Sequence, residues 1–258
     1  MTTLNLRNSE VGDHGAYQMF VSLQFNLFSK LTKVTLSENH VGNKAVAAIA
    51  AVLKCNRIMK YLDLKVNSIG DEGAICLAEA LEVNSTLENL DLSGNWIADK
   101  GANRIATALT RNYSLVTFFL SKNRITEEGI LNVIRALKRN QGLEEINIRD
   151  NFFMERTVVH TLNATLKVNA SLTKVDFTQF TTTSNETREL LSINTNYMPW
   201  RRMAKAWPKT HFLLPNKDNE IECLLIIFAL YSIPKEIKIA IIRTIILTKL
   251  TNKIAQFK

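Results

Sequence analysis

The sequence predicts an α/β fold: a solenoid of about seven strand–helix coils, stacked into a horseshoe and closed by an all-helical C-terminal region. Three observations support this fold class. An asparagine recurs at 28-residue intervals, at Asn39, Asn67, Asn95, Asn123 and Asn151. Each asparagine ends the same apolar frame, L-x-x-L-x-L-x-x-N, and each is followed by a helix-like apolar pattern. Self-similarity at a fixed period of this length is the signature of a stacked repeat architecture.

The apolar frame before each asparagine predicts a short strand with one buried face. In the clearest copy, Leu87, Leu90 and Leu92 precede Asn95. Residues two apart lie on the same side of a strand. The other copies are Leu31, Val34 and Leu36; Met59, Leu62 and Leu64; Leu115, Phe118 and Leu120; and Leu143, Ile146 and Ile148. The asparagine follows the strand, where we expect its side-chain amide to bond backbone groups of the turn and of neighbouring coils.

The segment after each asparagine predicts a helix. In the second repeat, Ala74, Leu77, Ala78 and Leu81 fall on one apolar helical stripe. One strand and one helix per coil place the strands on the inside of the arc and the helices on the outside. Five glycines recur with the coils, and we interpret them as turn residues rather than as a phosphate-binding loop: Gly70, Gly73, Gly94, Gly101 and Gly129.

The repeat loosens at both ends of a solenoid predicted over residues 1–180. A degenerate first copy ends at Ser9, and a last copy, one residue out of phase, places Phe180 where the asparagine would stand. The two end copies bring the expected number of coils to seven. No polar capping segment precedes the first coil, which predicts either an imperfectly self-capped coil or a piece of a longer chain.

The remaining residues predict helices of another kind. Residues 181–220 are expected to hold a closing helix, Thr187–Asn196, and a basic linker containing tryptophan. Residues 221–258 predict an amphipathic helical hairpin. The apolar run 224–233 is too short to span a bilayer, so no transmembrane segment is expected.

The frames resemble the ribonuclease-inhibitor type of leucine-rich repeat, as found in ribonuclease inhibitor, NOD-like receptors and the Ran GTPase-activating protein. The resemblance rests on the 28-residue length, the segment DLSGNWIADKGA and the N-S-T-L junction from Asn84 to Leu87. It covers about 180 of the 258 residues. It implies a rigid arc that binds a protein partner. It does not name the partner, because one fold serves many functions.

A fainter resemblance lies in the tail. Five positions there are similar to the L-P-x-E-L-x-x-x-I opening of F-box helices: Ile233, Pro234, Glu236, Ile237 and Ile241. Ile233 stands where leucine is usual, and little sequence follows the first helix. The resemblance implies docking to a cullin-ligase adaptor. The alternative is that the tail is only a hydrophobic cap for the last coil.

The predicted binding surface is the concave face, where residues beside the buried leucines point away from the core. Exposed aromatic and arginine side chains dominate protein interfaces. The expected contact residues are Tyr61, Asp63, Asp91, Trp96, Phe119, Arg124, Asn147, Arg149 and Phe152. Phe119 and Trp96 have the alternative role of packing between coils.

Catalytic patterns are absent from the sequence. The four histidines are isolated, and there is no paired metal spacing and no phosphate loop. We therefore expect no enzyme activity, no cofactor and no metal. Cys55, Cys76 and Cys223 form no C-x-x-C pair, which favours a reducing, cytoplasmic location.

The charge distribution does not predict a specific nucleic-acid site. The formal net charge is +8. Residues 1–180 carry 20 basic and 18 acidic side chains, and residues 181–258 carry 12 and 6. The basic residues are scattered, as in a solvated surface. Three functions therefore stay open: a substrate-recruiting adaptor for a ubiquitin ligase, a scaffold, sensor or inhibitor with a capping tail, and a GTPase-activating protein of the Ran type.

Overall fold

The computed structural model describes residues 3–23, 31–177 and 184–206, and in the last helix it describes side chains as far as Thr195. The chain divides into two compact units, Met1–Met198 and Pro199–Lys258. The hairpin predicted over residues 221–258 and the predicted role of Phe180 lie outside the described residues.

Within those residues, seven strands alternate with seven helices. The strands are β1 (Thr3–Asn5), β2 (Lys33–Thr35), β3 (Tyr61–Asp63), β4 (Asn89–Asp91), β5 (Thr117–Phe119), β6 (Glu145–Asn147) and β7 (Lys174–Asp176). The helices are α1 (Gly12–Leu23), α2 (Asn43–Cys55), α3 (Asp71–Val83), α4 (Asp99–Leu109), α5 (Glu127–Ala136), α6 (Glu155–Leu166) and α7 (Asn185–Ala206). The strands form one sheet in sequence order, and every neighbouring pair is parallel. The predicted α/β solenoid is confirmed.

The register of the sheet follows the repeat. Leu62 pairs with Leu90, which lies 28 residues further along the chain. The last step is 29 residues, from Ile146 to Val175, so the last copy is out of phase by one residue as expected. The connecting segment absorbs the extra residue, and the buried strand positions stay aligned.

The core lies between the strand layer and the helix layer. The central residue of each of β2 to β6 is buried, and so is the apolar residue that follows each of those strands. In the third coil, Leu62 and Leu64 from the strand side meet Ala74 and Leu77 of α3, all with no solvent exposure. Burial of such apolar surface supplies about 25 cal/mol per Å² toward folding.

The repeated asparagines form a first asparagine ladder beyond the strand ends. Asn67 is typical: its Nδ2 donates to the carbonyl oxygens of Leu36 and Leu64 at 3.0 Å each. Its Oδ1 accepts from the backbone N–H groups of Asn39 at 3.1 Å and Val41 at 2.9 Å. Each of the five asparagines donates to a carbonyl of the preceding coil and accepts from a backbone N–H there. Backbone groups of the turns are thereby satisfied away from water.

A second asparagine ladder lies at the opposite edge, where each helix leads into the next strand. Asn112 donates to the carbonyls of Leu81 and Asn84 and accepts from the N–H groups of Ser114 and Leu115. Its members are Asn56, Asn84, Asn112, Asn140, Asn169 and, from α7, Asn194. Sequence reasoning did not identify this role.

The helices are capped across coils. Asp71, in the first turn of α3, accepts hydrogen bonds through Oδ1 from the N–H groups of Ala98 and Gly101 at the start of α4, both at 2.8 Å. The same role falls to Asp13, Asn43, Asp99 and Glu127 for the helices that follow them. A carboxylate there also complements the positive end of the next helix.

The interpretation of all five recurring glycines as turn residues is wrong for three of them. Gly73, Gly101 and Gly129 lie inside the first turns of α3, α4 and α5. A Cβ on Gly101 would lie 2.7 Å from Asp71 Oδ1 and 2.9 Å from Ala74 Cβ, so glycine is required by close approach. Gly94, with a φ of 69°, is a turn residue as expected.

The closing helix is longer than expected. It begins at Asn185 and continues to Ala206, past Pro199, whereas the sequence predicted an end at Asn196. A proline removes only its own N–H donor and disturbs the preceding turn, so a helix can pass through it. Among the described residues, no helix combines the length and apolarity needed to cross a bilayer.

Candidate protein-binding surface

The strand face is the exposed side of the sheet, formed by the first and third residues of each strand. In β3 to β6 these residues are half-buried, whereas the central residue is buried. Side chains alternate along a strand, so the sequence pattern alone predicted this face. We define the strand face by Tyr61, Asn89, Thr117 and Glu145 in the first position and Asp63, Asp91, Phe119 and Asn147 in the third.

The parallel register brings five of the predicted contact residues together. Asp63 pairs with Asp91, and Asp91 pairs with Phe119 on the next strand. Phe119 pairs in turn with Asn147, and Tyr61 begins the strand that ends with Asp63. Neighbouring strands lie about 4.8 Å apart. The two carboxylates are therefore adjacent, with an aromatic ring on each side.

The third strand position also has a local structural role. Asp91 Oδ1 accepts a hydrogen bond from the Ser93 N–H at 2.8 Å, and Asp63 accepts one from Lys65 at 3.0 Å. Asn147 makes the same contact with the Arg149 N–H at 3.1 Å. An Asx side chain that bonds the backbone two residues on ends a strand well. Asparagine fulfils this role as well as aspartate, so the turn does not require the negative charge.

Electrostatic strain collects at the aspartate pair. Burial raises the pKa of the Asp91 carboxyl above its ordinary value, and the Asp63 carboxylate adds to the rise, while hydrogen bonds from Ser93 and the charge of Lys65 oppose it. Burial, followed by Asp63 and Asp91, also raises the pKa of the Tyr61 hydroxyl. Lys33 lies over the Tyr61 ring, 4.2 Å from its centroid. Among the described residues, no salt bridge within 4.0 Å reaches either aspartate.

Charges at the other end of the strand face are paired. Lys174 Nζ lies 2.6 Å from Glu145, and Arg149 lies 3.0 Å from Asp150 and 3.8 Å from Asp176. Asn147 Nδ2 also donates to Asp176 at 3.2 Å. The unneutralised charge of the strand face therefore lies at Asp63 and Asp91.

The other predicted contact residues lie elsewhere on the surface. Trp96, Arg124 and Phe152 come directly after members of the first asparagine ladder, in the loops that lead to α4, α5 and α6. They lie at the edge of the sheet rather than on the strand face. Trp96 is 53% exposed and Phe152 is 68% exposed, so neither ring is buried between coils. The Arg124 guanidinium lies 5.3 Å from the centroid of the Trp96 ring.

No group of three or more His, Cys, Asp or Glu residues suited to hold a metal ion occurs in the part of the chain that the structure describes. Of the cysteines there, Cys55 is exposed and Cys76 half-buried, and both are free.

Comparisons with known proteins agree with this architecture. A leucine-rich repeat family model matches residues 55–78 and 83–106. The solved structure of leiomodin-1 actin-binding site 2 is similar, with a TM-score of 0.52 and 21% identity over 74% of this chain and 94% of that one. The tropomodulin C-terminal domain of Caenorhabditis elegans gives 0.49 and 16% over 73% and 98%. A search of curated proteins finds no match. The fold is a leucine-rich repeat solenoid.

Proposed function

We propose that this chain is a non-enzymatic protein-binding module whose strand face takes a positively charged side chain of a partner. The observation that carries the proposal is the aspartate pair. Asp63 and Asp91 are adjacent, have no salt bridge among the described residues, and lie between Tyr61 and Phe119. An arginine or lysine from a partner would relieve the repulsion between the carboxylates and pack its stem on the rings.

Rigidity of the repeat supports the same proposal. The strand face is held by the sheet and by both asparagine ladders, so few groups need to be ordered when a partner binds. Less conformational entropy is then lost on association. The ribonuclease-inhibitor type of repeat, which the sequence resembles, is compatible with such a surface.

The test is quantitative affinity purification with the full chain as bait. The test variant, Asp63→Asn with Asp91→Asn, removes both charges and keeps the hydrogen-bond acceptors that end the strands. The control, Glu72→Gln with Glu128→Gln, removes two exposed carboxylates from the helix layer. We expect at least one protein to be recovered with wild type and control but to fall about tenfold or more with the test variant, since a charged pair is worth several kcal/mol when one partner is removed.

A partner set that is the same for both double variants would contradict the proposal, and so would the absence of any partner above background. For each partner recovered, reversing the charge of its basic residues should weaken binding to wild type. Asp63→Lys with Asp91→Lys should then restore binding to the reversed partner.

Two further roles concern the same arc. Coupling to a ubiquitin ligase depends on the tail residues 233–241, which lie outside the described residues. If the tail docks, a cullin adaptor co-purifies with the full chain and is lost when residues 221–258 are deleted. If the tail is only a cap, the deletion gives an aggregating protein and no adaptor is recovered with either form. A Ran-type activating role predicts faster GTP hydrolysis by a small GTPase when this chain is added.

A further inference from the structure

A second surface runs along the loops that follow the strands, and its backbone is fixed from coil to coil. The N–H groups of Trp96, Arg124 and Phe152 donate to the carbonyls of Ile69, Ile97 and Ile125, each at 2.8 Å. An isolated parallel bridge between Thr126 and Phe152 extends this pairing. The three side chains are therefore presented one per coil. At about 4.8 Å per step, they cover a line about 10 Å long.

The side chains on this line are unusually exposed for their type. Besides Trp96 and Phe152, Met154 is 75% exposed. We call Trp96, Arg124, Phe152 and Met154 the loop stripe. Exposed aromatic, methionine and arginine residues in a row are the composition of an interface centre rather than of ordinary surface.

Arg124 gives the loop stripe its charge. Its guanidinium lies over the Trp96 ring, and within the described ranges it forms no salt bridge with a carboxylate. Stacking on a ring orients the guanidinium plane while its N–H edge stays available for a carboxylate. The exposed Lys122 lies two residues before it.

We propose that the loop stripe is a second docking site, which binds an acidic, apolar segment of a protein partner. A carboxylate of the segment pairs with the Arg124 guanidinium, and its apolar side chains pack on Trp96, Phe152 and Met154. The buried first asparagine ladder separates this site from the acidic strand face. The two surfaces have opposite charge and select opposite chemistry. A nucleic acid strand is disfavoured because the carboxylates of Asp63, Asp91 and Asp150 are carried by the same coils.

The test begins with a random 12-residue peptide library, displayed on phage and selected on the full chain. Enriched peptides are synthesised with a fluorescent label, and their affinity is measured by anisotropy. We expect the enriched sequences to combine Asp or Glu with aromatic or aliphatic residues. Arg124→Glu should weaken their binding about tenfold or more, and a peptide with its acidic residue changed to arginine should regain affinity for Arg124→Glu.

Two matched variants define the site. Arg139→Glu makes the same charge change at an exposed position at the opposite edge of the solenoid, and it should leave affinity within about twofold. Asp63→Asn with Asp91→Asn should also leave it unchanged, so the loop stripe and the strand face can fail independently. Thermal unfolding shows whether each variant is folded.

Three outcomes overturn the proposal: no enriched peptide, enriched peptides without carboxylates, or equal effects of Arg124→Glu and Arg139→Glu. Tighter binding of a 20-nucleotide oligothymidine that depends on Trp96 and Phe152 would also overturn it. That result would assign the stripe to base stacking instead.

Discussion

At the scale of single residues, one strand position serves two purposes. The third residue of a strand ends it through an Asx hydrogen bond, and asparagine or aspartate can make that bond, as Asn147 and Asp91 do. The charge of Asp63 and Asp91 is therefore additional to what folding needs. It brings a cost, because Asp91 is partly buried beside a like charge.

We predict that Asp91→Asn stabilises the protein at pH 7. Since burial and Asp63 raise the folded-state pKa of Asp91 above the ordinary 3.8, the ionised carboxylate is disfavoured in the folded state. Wild type should gain stability relative to the variant as the pH falls through that raised pKa. The difference should vanish below the pKa of the unfolded chain. Urea unfolding of both proteins at several pH values measures this, and a difference that grows as the pH falls would contradict the assignment.

At the scale of secondary-structure elements, each helix depends on its neighbour. The N-terminal N–H groups of α2, α3, α4 and α5 are capped by a side chain of the preceding helix, not by a residue of the same helix. The acceptor must reach over the first turn of the next helix, and a glycine there leaves the space. Helices and glycines that repeat together in the sequence are thus coupled in pairs.

We predict that Gly101→Ala destabilises the protein by about 1–3 kcal/mol, the usual cost of overpacking. The added Cβ would meet Asp71 Oδ1 at 2.7 Å and disturb the cap of α4. Gly15→Ala is the matched control, because it has the same place in α1 and its nearest neighbour would be Val11 Cγ1 at 3.4 Å. That control should be neutral or stabilising by up to about 1 kcal/mol. Equal free energies of unfolding for the two variants would exclude the steric explanation.

At the scale of the whole molecule, the first unit is a one-dimensional stack, in which stability passes from coil to coil. The described part of α7 joins this stack through Asn194, whose Nδ2 donates to the carbonyls of Asn169 at 3.0 Å and Leu172 at 2.7 Å. Thr187 adds a hydrogen bond to Asn163. A helix thus takes the place that the next asparagine of the second ladder would have.

We predict that Asn194→Ala loosens the C-terminal end only. Two buried carbonyls would lose their donor, at about 1–3 kcal/mol each. Amide hydrogen exchange should accelerate in α7, β7 and α6 and stay unchanged in the coils that hold β3 and β4. Ile193→Ala, an exposed position on the same helix, is the control. Uniformly faster exchange along the solenoid would show that the stack unfolds as one cooperative unit.

Much of the surface could be predicted from the sequence, but its electrostatics could not. Alternation along the strands identified Tyr61, Asp63, Asp91 and Phe119 as outward-facing residues. Whether a charge is neutralised depends on side-chain contacts between coils, such as Arg149 with Asp176. The sequence pattern also combined Trp96, Arg124 and Phe152 with the strand face, because position within a repeat does not distinguish a strand from the loop that follows it.

The sequence by itself determined the periodic part of this protein: the number of coils, the strand register, the buried leucines and the first asparagine ladder. These follow from local chemistry that repeats every 28 residues, so each copy supports the same interpretation. Only the tertiary structure decided which helix caps which, why three glycines lie within helices, how Asn194 ends the second ladder, and which charges stay unpaired. Those features depend on contacts between coils, and the distance between two side chains from different coils is set by packing rather than by their spacing in the sequence.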